Sequence, residues 1–210
     1  MPKVSTEHKD AVRRRIMDGA LACLQRSGYQ DITTRELLAE VGLSTGTFYN
    51  YFDSKEQLYE QLAVEALAGD LTRIQDPALP VGTSLFGFLG EYMMVEPEGA
   101  VAVASFRSGA MATPNGAESV ARLNRYVVEQ FVPLVEKAQA DGFVDPTLDA
   151  EALVELMDII WDGLGRRAGS EAFQTSYERV GAACLQVLAR GALTADADLP
   201  GMPPATAGET

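Results

Sequence analysis

Residues 33–52 read TTRELLAEVGLSTGTFYNYF, and this stretch decides the fold. Thr33 is a good helix N-cap, and Glu36 three positions on completes a capping-box pattern. The spacing predicts a short helix over about 34–41, stopped at Gly42 by a turn that needs a left-handed residue. Ser44 then caps a second short helix over 45–51. Two short helices about a glycine turn form a helix-turn-helix, whose first helix braces across a DNA backbone while the second enters the major groove. The exposed start of that second helix is small and polar: Ser44, Thr45, Gly46 and Thr47. Gly46 has no Cβ, which lets backbone approach base edges, and Tyr49 and Asn50 can reach phosphates or bases. Phe48 and Phe52 face the other way as core anchors. Lys55 falls in the first turn of the next helix, where the dipole and the ammonium both favour a phosphate. The competing reading is a plain three-helix knot, but Ser44–Thr47 is a poor packing surface.

Working outward, nearly all apolar periodicity is helical. Val12, Ile16, Ala20 and Cys23/Leu24 form one stripe over 8–27, ended by Gly28. A fourth helix runs from 53–56 to about Arg73. After a loop at 76–82, helices are expected at 85–96, 99–111, 117–141, 149–166 and 171–192, with Pro133 kinking the third of these. Thr113-Pro114-Asn115-Gly116 reads as a turn, and the Pro/Gly/Ala/Thr-rich residues 195–210 as a disordered tail. The expected fold is all-α, with about nine helices and no strands. Residues 1–55 form a three-helix DNA-binding domain and residues 56–194 a helical ligand-binding and dimerisation domain.

Charge divides the chain in the same place. Of 210 residues with a net charge of −13, residues 1–60 carry 8 basic and 9 acidic groups, and the remainder 9 and 21. The first part can approach an anion such as DNA; the second would be repelled by one and should face elsewhere. Arg13-Arg14-Arg15 by itself reads as a solvated helix face. Cys23 and Cys184 lie far apart in apolar patterns, and His8 is the only histidine, so zinc-ligand spacing and a disulfide scaffold are excluded and no metal or cofactor is expected. The first residues lack the apolar core of a signal peptide, and no run of about 18 apolar residues exists, so a cytoplasmic chain is expected.

The sequence resembles the TetR family of bacterial regulators. The resemblance covers about residues 10–62. It runs from Ile16-Met17-Asp18-Gly19-Ala20 through Gly28-Tyr29 and Thr33-Thr34-Arg35. It continues through Gly42-Leu43-Ser44-x-Gly46-Thr47-Phe48-Tyr49-x-Tyr51-Phe52 to Ser54-Lys55-Glu56-x-Leu58. It implies DNA-backbone contacts from Thr34, Thr47, Tyr49 and Lys55, and base-edge or mixed roles for Arg35, Thr45, Gly46 and Asn50. One departure is Leu38, where the family usually has a small Ala beneath the crossing of the two helices, so the pair is expected to splay slightly.

A palindromic operator on double-stranded DNA requires a two-fold dimer. Residues 149–192 are the expected interface, with broad apolar faces and small residues (Gly163, Gly165, Gly181, Ala182, Ala183) that permit close approach. The resemblance further implies a small-molecule effector site in the second domain. Its candidate lining is Phe88, Tyr92, Met93, Phe106, Met111, Tyr126, Phe131 and Trp161, although each of these alone reads as core. Glu91, Arg107, Asn124 and Asp158 are candidates to orient a ligand, and Glu91 or Asp158 would suit a cationic one. An enzyme is the rival class, yet the chain offers no catalytic constellation. Gly163-Leu164-Gly165-Arg166-Arg167-Ala168 matches the letters of a dinucleotide fingerprint but follows a helix, not a strand. A third reading is a DNA-binding adaptor controlled by a protein partner.

Overall fold

A computed structural model describes residues 6–75, 80–94, 98–168, 177–194 and 197. Among these, nine helices and no strand form the chain: α1 (Thr6–Asp31), α2 (Thr34–Val41), α3 (Thr45–Phe48), α4 (Lys55–Ile74), α5 (Val81–Met94), α6 (Glu98–Ala110), α7 (Pro114–Ala140), α8 (Ala150–Ala168) and α9 (Tyr177–Ala192). The all-α expectation holds. The expected tail and the start of the last helix at 171–176 lie outside the described residues, Ala197 apart. Among the described residues no helix is long and apolar enough to cross a membrane.

Two helices begin earlier than their periodicity suggests, each with a proline at its start. Pro80 accepts the first helical hydrogen bond from Ser84, so α5 starts at Val81. Gly82 is not a loop residue but a contact point, since a Cβ there would run into the Phe143 ring. Thr113 caps α7, accepting from the Gly116 N–H, with Pro114 in the first turn, where its missing N–H costs nothing. The helix then runs as one element through Pro133 to Ala140.

Four of the contacts that tie α1, α4 and the later helices together are these. Arg13 of α1 reaches Glu65 and Gln61 of α4 at 2.8 and 2.6 Å. The Tyr59 hydroxyl donates to the Ala20 carbonyl at 3.1 Å. Arg122 of α7 grips both oxygens of Glu60 at 2.8 and 2.7 Å. The fourth is aromatic: the Tyr29 ring meets Tyr59 and Phe106 edge-on, with centroids 5.2 and 5.3 Å away. The core is continuous from Ile16 and Phe48 through Tyr59 and Phe106 to Leu123 and Val135.

The break in α1 makes the aromatic seam possible. Gly28 has φ 71 and ψ 164, a conformation that L side chains rarely adopt. With the ladder interrupted, the Tyr29 N–H turns outward and donates to the Ser105 hydroxyl of α6 at 2.9 Å.

Candidate nucleic-acid interface and effector cavity

The helix-turn-helix assembles as its spacing predicts. The Thr33 hydroxyl accepts from the Glu36 N–H, and the Glu36 carboxylate accepts from the Thr33 N–H at 2.8 Å and from its hydroxyl at 2.9 Å. Those donors, the backbone one foremost, hold the Glu36 carboxyl below the usual carboxylate range. Gly42 closes α2 in the left-handed region, with φ 61. Val41 packs against Gly19, where a Cβ would not fit, so α2 lies close on α1. Leu38 is buried in this core.

The second helix is shorter than expected. It ends at Phe48 instead of 51, because Asn50 and Tyr51 donate three residues back, to Thr47 and Phe48, in a tightened last turn. Phe48 and Phe52 are both buried, as anchors should be. Ser44, Thr45, Gly46, Tyr49 and Asn50 are exposed, with Thr47 half-buried. Ser44 and Thr47 are tied to each other: the Ser44 hydroxyl caps the Thr47 N–H, and their two oxygens lie 2.8 Å apart. Nothing lies within 4 Å of where a Gly46 Cβ would stand, so no packing demands glycine there. Arg35 is exposed and Thr34 half-buried on the adjacent face of α2. Arg14 and Arg15 are exposed on α1, and the Arg15 guanidinium reaches over the turn at Gly42. Of the arginine run, only Arg13 is spent on the fold.

Lys55 is engaged within the fold. Its ammonium donates to the Ile32 carbonyl at 2.7 Å and the Tyr29 carbonyl at 3.2 Å, and it lies 4.0 Å from the Tyr29 ring centroid. It thus closes the C-terminal end of α1, whose last carbonyls lack helical partners. Burial pushes the pKa of the amine down. One N–H of three remains.

An apolar cavity lies between α4, α5, α7 and α8. Its walls include Leu67, Phe88, Phe131, Met157 and Trp161, and Asp158 is the one polar residue among them. The cavity measures about 50 Å³, below the roughly 150 Å³ of a cavity that admits benzene. Of the expected lining, Phe88, Phe131 and Trp161 face this space. Phe106 does not: it packs between Tyr29 and Tyr59 on the opposite side of α6. Met111 is 57% exposed at the end of α6, and Tyr126 packs against the core without lining the cavity. The side chains of Glu91, Tyr92 and Met93 lie outside the described residues, although their backbone belongs to α5. Asn124 is exposed on α7.

Asp158 is already engaged. Both of its oxygens accept from Nη1 of the buried Arg107, at 2.9 and 2.8 Å. Burial raises the Asp158 carboxyl above its usual range despite the opposing pull of Arg107.

A polar helix-turn-helix and an apolar cavity are thus joined by a continuous helical core. Residues 16–62 match the family described as bacterial regulatory proteins, tetR family. The likeness to that family is shown for this N-terminal stretch. The chain is 43% identical over 65 residues to the HTH-type transcriptional repressor Rv1474c of Mycobacterium tuberculosis, a stretch covering 31% of this chain and 35% of that protein. To the HTH-type transcriptional repressor KstR of the same organism it is 25% identical over 169 residues, covering 76% of this chain and 71% of that one. The first three curated relatives are matched over only 35%, 45% and 36% of their lengths. Salmonella enterica GusR shares the fold with a TM-score of 0.66 at 21% identity, over 90% of this chain and 99% of that structure. A TetR transcription regulator from Haloarcula marismortui gives the same TM-score and identity over 88% and 100%.

Proposed function

We propose that this chain is a transcriptional repressor that binds a palindromic operator in double-stranded DNA as a homodimer and is released by a small apolar or aromatic effector. It has no catalytic role in this reading. The observation that carries DNA binding is the α3 surface. Ser44, Thr45, Gly46, Tyr49 and Asn50 stand exposed there, beside Arg35, without any packing duty for Gly46. The family match at residues 16–62 includes this segment, and relatives named as repressors match part of the chain.

Dimerisation through 149–192 is supported by a stripe left bare on each of two helices. On α8 it is Ala152, Leu156 and Ile159, with half-buried Gly163; on α9 it is Ala183, Val187 and Gly191, with half-buried Val180. Ile159 is 65% and Val187 71% exposed, and nothing lies within 4 Å of a Cβ at either glycine. A helix pair with such faces fits a second copy of itself about a two-fold axis.

Release by an effector rests on α6. Arg107 on this helix touches the cavity's carboxylate, while the neighbouring Ser105 and Phe106 hold Tyr29 of α1. An effector must part the cavity walls to enter, and it lowers DNA affinity only by favouring the parted state. The test is fluorescence anisotropy of the purified protein with DNA from its own upstream region, over a salt series. Sequence-independent or absent binding overturns the reading. The nearly closed cavity favours the adaptor as the second reading, in which no small molecule enters.

A further inference from the structure

Two gaps in the hydrogen bonding between α6 and α8 match each other. Arg107 of α6 is 7% exposed and spends Nη1 alone on Asp158, at 2.9 and 2.8 Å. Its Nε and Nη2 are buried without a hydrogen-bond partner among the described residues. On α8, Asp162 gives Oδ2 to Arg166 at 2.9 Å, and its Oδ1 is likewise buried and unpartnered among the described residues. Donors on a buried cation and a buried carboxylate oxygen are both costly to leave unmade. Nε and Nη2 share one edge of the planar guanidinium, the fork that grips a carboxylate through two parallel bonds. In Arg107 that edge is empty, while Asp158 is held by a single nitrogen.

Asp162 follows Asp158 by one turn on the same face of α8. The two carboxylates feel each other: burial raises the Asp158 carboxyl against the pull of Arg107, and Asp162 and Glu155 add to the rise. Packed helices have discrete alternative registers, one turn or about 5.4 Å apart. We propose that Arg107 has two alternative partners, and that a shift of α6 against α8 passes it from Asp158 to Asp162, whose carboxylate fills the empty fork. The exchange moves one ion pair along the seam without changing the charge there. Each arrangement leaves buried polar atoms unmade: the fork and Asp162 Oδ1 in one, the Asp158 oxygens in the other. That balance keeps the two states close in energy, as a two-state element requires. Because α6 also holds Tyr29 of α1 through Ser105 and Phe106, the exchange reaches the DNA-reading half. This last step rests on the DNA-binding reading above; the exchange itself does not.

Asp158→Asn and Asp162→Asn remove the same charge from neighbouring turns, so any general electrostatic effect on DNA is common to both. Asp158→Asn should commit Arg107 to Asp162, and Asp162→Asn should commit it to Asp158. The Arg107 Nε–H, identified in nitrogen-resolved NMR of the full chain by its loss in Arg107→Lys, reads this directly. In Asp158→Asn it should move downfield and exchange more slowly with water, as a newly bonded donor does; in Asp162→Asn it should do neither. The dissociation constants of the two variants for operator DNA should differ about fivefold or more, the usual scale of coupling between sites. Should Asp158→Asn fail to fold, relaxation dispersion of the same signal in the unaltered chain decides. Microsecond-to-millisecond exchange that Asp162→Asn abolishes supports the two-partner state, and a flat profile overturns it. An Nε–H that stays in place in Asp158→Asn also overturns the exchange. Equal DNA affinity of the two variants overturns its reach into the DNA-reading half. Absence of DNA binding by the unaltered chain overturns the repressor reading and leaves the Nε–H to decide the exchange.

Discussion

The Lys55 ammonium donates to the Ile32 carbonyl at 2.7 Å, across the junction between α1 and the helix-turn-helix. A side chain that sequence alone would send to a phosphate is thereby a brace for the domain. Replacing it with Met leaves the Ile32 carbonyl without the lysine donor and the Tyr29 carbonyl with the Ile32 N–H alone, at 3.4 Å. The variant should lose roughly 1–3 kcal/mol of stability. Its DNA affinity should fall with little change in the dependence on log salt, which titrations at several salt concentrations will read.

Arg14, Arg15 and Arg35 are the contrasting cases. All are exposed, and none donates to another described side chain. Each change to Gln should reduce the magnitude of the salt slope by about one while leaving thermal unfolding where it was. If Lys55→Met lowers the slope by as much as these do, its free N–H is contacting phosphate after all.

Gly46 separates folding from recognition. With open space around a Cβ, Gly46→Ala should leave the melting temperature unchanged or raise it slightly, because alanine is the better helix former. The same methyl meets DNA in the bound state, so operator affinity should drop tenfold or more. Calorimetric unfolding and anisotropy on one preparation check both halves.

Val187 and Ile159 are exposed in the single chain, so Asp at either position costs the protomer little. In a dimer each carboxylate would be buried unpaired, at several kcal/mol. Light scattering of Val187→Asp should therefore give the mass of one chain, 22.6 kDa, where the unaltered protein gives twice that.

Glu36 gives α2 a pH dependence. Its native pKa is depressed, so its stabilisation is complete above the unfolded value, about 4.3, and is lost as pH falls through the lower native value. Glu36→Gln can still accept from Thr33 but does not titrate. The drop in melting temperature between about pH 6 and pH 3.5 should be smaller in this variant.

Local features were legible where the signal and its partner sit within a few residues of each other. The Thr33–Glu36 box, the Gly42 turn, the Gly28 stop and the Phe48/Phe52 anchors are of this kind. The starts of α5 and α7 were not, because Pro80 and Pro114 read equally well as loop or as first turn. Partners distant in sequence were illegible. Nothing in the residues around Lys55 shows that it meets Ile32, and nothing around Phe106 shows which side of α6 it occupies. Arg107 and Asp158 were each visible as polar residues in an apolar domain, but their pairing needed the packing of α6 on α8.

The seam at Tyr29 bears on how such proteins can be recombined. Its ring touches Tyr59 and Phe106, and its amide holds Ser105, so one residue of α1 is built against partners 30 to 77 positions further along the chain. A chimera that joined residues 1–55 to the sensing half of another regulator would confront Tyr29 with a foreign α6. Portable DNA-reading heads from this chain must therefore carry the matching residues at 59, 105 and 106 with them, as a graft of two surfaces and not of one segment.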